Sequence, residues 1–157
     1  MFVKLENLSV LADGRYASDD ELEFIGSYVK SFNLRQQTYL RLKSLEAKIV
    51  EQVYTKLRSL DPKFLKNGAE DISEKWKRDT LRVLRYVALT VLIDDSENLK
   101  EQFLIWFQAI MQAFRAERSC YATYEIMQQV VKQLLEPQEI ALVCPVLELN
   151  RSLLGKK

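Results

Sequence analysis

Lys75-Trp76-Lys77-Arg78-Asp79-Thr80-Leu81-Arg82-Val83-Leu84-Arg85-Tyr86 is the stretch on which the reading of this chain turns. It holds no glycine or proline, and its residue types sort by helical spacing rather than by the alternation of a strand. At about 100° per residue, Lys75, Arg78, Arg82 and Arg85 fall on one stripe, with Asp79 and Tyr86 beside it. Ile72, Trp76, Val83 and Thr90 come further round the same side, and Leu81, Leu84, Ala88 and Val91 fill the remaining flank. The spacing predicts a helix from Asp71 or Ser73 to about Ile93.

The same pattern extends in both directions. Upstream, Ser18-Asp19-Asp20-Glu21 is a helix start, with Ser18 as the cap and Glu21 three residues on. Leu22, Ile25, Val29, Phe32 and Leu34 continue from it. A second helical run is expected over about 34–60, ending before Pro62, because the residue before a proline avoids the helical region. Residues 61–70 read as a loop, and residues 1–17 as a short helical extension of mixed composition. Downstream, Asp94-Asp95-Ser96-Glu97-Asn98 is a polar break and a helix cap. Helices are expected over about 97–116, 122–135 and 138–153. The first carries an aromatic face of Phe103, Trp106, Phe107 and Phe114, and Pro145 should kink or interrupt the last.

Composition agrees with a helical domain. The 157 residues contain four glycines and three prolines, too little turn punctuation for a many-stranded sandwich or barrel. Hydrophobic residues at 48% are enough to build a core. The expected fold is all-α, six to eight helices in one domain over residues 1–157, with unequal lengths that favour a globin-type arrangement over a symmetric bundle. There is no histidine, which removes histidine-based zinc sites, Ser-His-Asp and Cys-His chemistry, and haem held by a proximal histidine. A net charge of +1 gives no global field for nucleic acid. No apolar run approaches the roughly 20 residues of a membrane span, and no signal peptide is evident, so a cytoplasmic protein is expected. Cys120 and Cys144 read as structural thiols.

Four like charges at neighbouring helical positions repel one another. On spacing alone such a stripe is more often a solvated face, paired with acids such as Glu74. The functional alternative is a ligand with carboxylates or phosphates held by arginine forks. Among these cations Asp79 is expected to be ionised, and an ionised carboxylate only accepts hydrogen bonds. The guest that suits the pattern is flat and apolar, with N–H groups in its middle and anionic arms. The aromatic stripe of 103–114, taken alone, is more often core than a pigment pocket. Without histidine, a metal cluster or a paired-carboxylate motif there is no catalytic constellation, so no enzyme is expected.

The run 76–85 resembles the central helix of the phycobiliprotein family, where a Cys-x-Arg-Asp-x4-Leu-Arg pattern holds a linear tetrapyrrole. Arg78, Asp79, Leu84 and Arg85 match that pattern. Ala12-Asp13-Gly14-Arg15-Tyr16, with Ser18-Asp19-Asp20-Glu21-Leu22 after it, is similar to the family's opening segment. Trp76 stands in the place of the chromophore-attaching cysteine, so the resemblance implies no covalent attachment at the usual position. The run 103–120 and the ending 144–155 are similar to phycobiliprotein-related globins associated with bilin biosynthesis, which lack that cysteine.

The resemblance implies a non-covalent bilin, biliverdin or phycocyanobilin, as the ligand. Asp79 would accept from pyrrole nitrogens, Arg78 and Arg85 would hold propionates, and Lys75 and Arg82 would assist. Trp76 would pack on the pigment or fill the space the thioether leaves, and Tyr86 and Trp106 would line the pigment. Implied partners are bilin-synthesis enzymes or phycobilisome components, and a homodimer through residues 18–60, with Phe24, Ile25, Tyr28 and Phe32 as its expected surface. The competing expectation is a pigment-free structural or regulatory protein of the same family.

Overall fold

The computed structural model describes residues 1–156. Its helices are α1 (Phe2–Leu11), α2 (Asp19–Leu60), α3 (Ser73–Ile93), α4 (Ser96–Leu99), α5 (Ile105–Ala113), α6 (Glu117–Leu134) and α7 (Pro137–Leu154). A π turn, Lys100–Leu104, joins α4 to α5, so these two and the turn make one rod and the described chain has six rods. A 3₁₀ turn, Pro62–Leu65, and a hairpin of two two-residue strands, Lys66–Asn67 and Glu70–Asp71, connect α2 to α3. The all-α, globin-like arrangement matches the expectation from sequence. Lys157, the last residue of the expected domain, lies outside the described residues.

The spacing predicts two helices between Ser18 and Leu60, and one of 42 residues is found. It opens with the expected capping box, in which Glu21 N–H donates to Ser18 Oγ and Ser18 N–H to Glu21 Oε2. Nothing at residues 33–35 stops it. Asn33 is not a cap, Arg35 donates to Ser31 Oγ on its own helix, and Thr38 Oγ1 donates back to Leu34 O. Pro62 then ends the element as expected.

Two other expectations are corrected. The aromatic helix ends at Ala113, not 116, and the next begins at Glu117, because Arg115 takes a left-handed conformation (φ 53°) and turns the chain early. Pro145 does not interrupt α7. It lies on the exposed side, as does Ala141 four residues earlier, so the hydrogen bond proline cannot make is left to solvent. Residues 1–17, expected as a short helical extension, carry α1.

The core lies where α2 packs on α3 and α6, and α6 on α7. Leu42, Ile49, Leu57, Leu84, Met127 and Leu147 are fully buried there. None of α2's buried residues comes before Thr38, so its N-terminal part extends past the core. Tyr28 Oη, donating to Leu92 O, and Arg35 Nη1, donating to Val91 O, tie that part to the end of α3. Arg35 also pairs with Asp94, which is left-handed at φ 52°. Asp95 caps α4 by accepting from Asn98 N–H, as expected of this acidic break.

Candidate functional site

α3 turns its apolar arc of Thr80, Val83, Leu84, Val87 and Val91 into the core. The basic stripe is left on the outside: Lys75, Arg78, Arg82 and Arg85 lie away from the buried arc. Asp79 and Tyr86 lie on one shoulder of that stripe, both half-buried. This shoulder faces the π turn and α5. Tyr86 stacks on Phe103, with ring centroids 4.4 Å apart, and Phe103 stacks on Phe107 at 5.0 Å. At the other end, the Lys75 ammonium sits 5.0 Å from the centroid of the Phe114 ring. α3 and α5 therefore run antiparallel along a strip of about 16 Å, the rise of the eleven residues between Lys75 and Tyr86. Trp106, 58% exposed, lies against Phe103 and Phe107 on the open side.

The π turn creates this aromatic side. One extra residue in the turn rotates the helix beyond it. It brings Phe103 and Leu104 inward and leaves Ile105 and Trp106 on the surface.

The charges of α3 divide into paired and unpaired groups. Arg85 donates through Nε and Nη2 to both oxygens of Glu46 on α2, at 2.9 and 2.7 Å. That hydrogen bonding raises Arg85's pKa and lowers Glu46's. Lys77 pairs with Glu51 at 2.9 Å and lies over the Tyr54 ring. Among the described residues, Arg78 and Arg82 form no ion pair and Asp79 accepts no hydrogen bond. Arg85 is thus paired across to a neighbouring helix, and Arg78 and Arg82 are exposed to solvent without an acid partner among the described residues.

Trp76 points away from the stripe, toward the core. Its Nε1–H donates to Thr123 Oγ1 on α6 at 3.2 Å, and its ring lies 6.2 Å from that of Tyr54. Of the eight residues expected at the site, the structure brings Lys75, Asp79, Tyr86 and Trp106 to the α3–α5 strip. Arg78 and Arg82 are at its rim. Arg85 is on the α2 side and Trp76 is behind α3. Glu46 and Thr123 have no motif to announce them, and their partners lie 39 and 47 residues away.

A concavity of about 240 Å³ lies between α2 and α3, lined by Tyr39, Leu42, Lys43, Glu46, Leu84 and Arg85. Asp79 does not line it. Its floor residues Leu42 and Leu84 are sealed, so it is a shallow groove under the Arg85–Glu46 pair and not the chemistry-bearing strip.

Both cysteines are free thiols, Cys120 buried and Cys144 half-buried. Burial pushes Cys120 up to about 12, and burial also raises Cys144, so neither is a ready thiolate. Among the described residues, no group of His, Cys, Asp and Glu could hold a metal ion, and no helix is long and apolar enough to cross a membrane. A family model described as "Phycobilisome protein" matches residues 9–154. No curated protein matches the chain.

Proposed function

From the premise that this chain belongs to the phycobilisome protein family, we propose that it is a non-covalent bilin-binding globin, a carrier or accessory in bilin biosynthesis of the branch without the attaching cysteine. The observation that carries this reading is the unpaired polar set on α3. Asp79 is half-buried without a donor, and Arg78 and Arg82 are beside it without a carboxylate.

The residues present fit a linear tetrapyrrole. An acceptor-only carboxylate suits pyrrole N–H groups. Arg78 and Arg82 suit two propionates, with Lys75 at the end of the strip. Tyr86 and Trp106 offer ring faces to a flat conjugated body. When bound, the bilin supplies visible absorption. Arg85 joins the propionate contacts only by leaving Glu46. Trp76 fills space behind α3 and hydrogen-bonds within the protein, in keeping with a ligand held without a thioether.

The implied partners are the enzymes that make or use bilins, or phycobilisome components, in a cytoplasmic setting. A homodimer through residues 18–60 is part of this reading. Leu22, Val29, Phe32 and Leu40 are exposed and fall within an arc of about 80° on α2. Acids occupy one end of this stretch, at Asp19, Asp20, Glu21 and Glu23, and bases the other, at Arg41 and Lys43. A second copy laid antiparallel would bring opposite charges together.

The purified protein titrated with biliverdin and phycocyanobilin is expected to give a red-shifted, intensified band, with the pigment extracting freely in acidic urea. Pigment retained after denaturation, or no spectral change, overturns the reading. One observation favours a pigment-free structural role. The Tyr86–Phe103–Phe107 stack already fills part of the strip with the chain's own rings. On that reading no band shifts and the protein captures antenna subunits through its surface.

A further inference from the structure

The hairpin between α2 and α3 carries a reactive pair of residues that bilin binding leaves unused. Its strands Lys66–Asn67 and Glu70–Asp71 run antiparallel, with Lys66 opposite Asp71 and Asn67 opposite Glu70, so Gly68 and Ala69 make the turn. Gly68 takes φ 61° and Ala69 is not left-handed, as a type II′ turn requires. Every residue from Lys66 to Asp71 is exposed. Among the described residues, the Asn67 side chain and the Gly68 N–H make no hydrogen bond. A Cβ placed on Gly68 would meet nothing within 4 Å, so the space around this residue is open.

An asparagine amide is open to attack by the backbone nitrogen of the next residue when that nitrogen is unbonded and uncrowded. The chain has five asparagines, and only Asn67 precedes a glycine. Asn7, Asn33, Asn98 and Asn150 precede Leu8, Leu34, Leu99 and Arg151. Those four lie in α1, α2, α4 and α7, where the following N–H is bonded along the helix. The hairpin, by contrast, holds Asn67 loosely. Two strands of this length are marginal by themselves. Their base is tied by Ile72 N–H, which donates to the Leu65 carbonyl at 2.9 Å, and α3 starts one residue further on.

We propose that Asn67–Gly68 is a self-modifying site that passes through a cyclic imide to aspartate and isoaspartate, and that the products loosen the hairpin leading into α3. Gly68 N forms a bond to Asn67 Cγ, the Cγ–Nδ2 bond breaks, and ammonia leaves with the proton that Gly68 N gives up. Solvent water then opens the imide. Attack at Cγ restores the main chain and leaves aspartate. Attack at the backbone carbonyl carbon leaves isoaspartate, with the main chain running through Cγ. Either product sets a carboxylate opposite Glu70, and like charges facing each other oppose strand pairing. Isoaspartate also lengthens the backbone of one strand, so the Lys66–Asp71 and Asn67–Glu70 pairs lose their common register. The site needs no ligand and stands apart from bilin binding.

The test ages the full chain in mildly alkaline buffer and compares it with a fresh sample digested alike. Mass spectrometry with electron-transfer fragmentation then separates asparagine, aspartate and isoaspartate at each position. Conversion is expected at Asn67 ahead of the other asparagines. It is expected to be slowed in Gly68→Ala, whose methyl crowds the attacking nitrogen, and lost over the same time in Asn67→Gln. Gly68→Ala strains a positive φ, so Asn67→Gln is the variant that leaves the turn as it is. Hydrogen exchange of the Ile72 amide is expected to quicken on ageing in the native chain and to hold in Asn67→Gln. Asn67 intact in the aged chain, another asparagine converting first, or equal conversion in Gly68→Ala overturns the site. Conversion at Asn67 with Ile72 exchange unchanged overturns the loosening.

Discussion

Asp79→Asn separates the two things a charged residue on α3 can do. In the protein alone, Asp79 has neighbours of opposite charge at helical spacing, Lys75 four residues before it and Arg82 three after. Each such pair is worth about 0.2–0.5 kcal/mol, so removing the charge costs the fold at most about 1 kcal/mol. Nothing larger is lost, because the carboxylate accepts no hydrogen bond from the described residues. Against a bilin the arithmetic is different. A hydrogen bond to a charged acceptor contributes about 1.5–3 kcal/mol, which is about ten- to a hundredfold in Kd. Asparagine keeps the shape but offers a weaker acceptor and an unwanted donor. Urea unfolding monitored by far-UV circular dichroism gives the first quantity, and absorbance titration with biliverdin gives the second. The expected result is near-native stability with much weaker binding. A Kd unchanged in Asp79→Asn, or a stability loss well above 1 kcal/mol with binding intact, refutes the assignment of this carboxylate to the ligand.

The neighbouring arginines should respond in their own way. Arg78→Ala and Arg82→Ala should each raise the biliverdin Kd by about fivefold, an effect that weakens with salt, while Arg85→Ala should do less because its fork is held by Glu46; salt-dependent titrations of the three variants check this. Glu148, bonded first by Arg151 and then by Gln128, is held down at about 2 from an ordinary 4.5. A carboxylate depressed in the folded state stabilises above its unfolded pKa and loses that contribution as pH falls through the folded one. The stability gap between the native chain and Glu148→Gln should therefore close between about pH 4.5 and 2 in acid unfolding curves. Two glycine-to-alanine changes should have opposite signs. Gly26 is inside α2 with open space at its Cβ position, so alanine there should add about 0.5–1 kcal/mol. At Gly155 a Cβ would stand 2.7 Å from both Arg151 O and Tyr121 Cα, so alanine should cost about 1–3 kcal/mol, both read by denaturant unfolding.

A feature is legible in the sequence to the extent that its cause is local. The capping box at Ser18, the stop at Pro62 and the cap at Asp95 each depend on residues within one turn, and each appears as read. The inward arc of α3 is likewise a matter of periodicity. The unbroken α2 is not legible, because the apolar spacing shifts near Leu34 although no residue there can end a helix. The early turn at Arg115 carries no glycine to announce it. At the site, the stripe is visible in the sequence but its division is not. Whether Arg85 or Arg82 is free depends on Glu46, a residue on another helix whose reach no spacing rule reports. The π turn leaves no trace in the pattern, since its extra residue is seen only in where Phe103 and Trp106 end up pointing.

α2 has a mechanical meaning as well. At 1.5 Å per residue its 42 residues make a beam of about 63 Å, clamped where Leu42, Ile49 and Leu57 enter the core and free of burial before Thr38. No loop or hinge separates its overhanging end from the part that carries Glu46 and Glu51. A load on the overhang is therefore shared between the ties of Tyr28 and Arg35 to the end of α3 and the two carboxylates, Glu46 and Glu51, that grip Arg85 and Lys77 of the same helix. Every one of these contacts falls on α3, so whatever grips that end bears on the central helix.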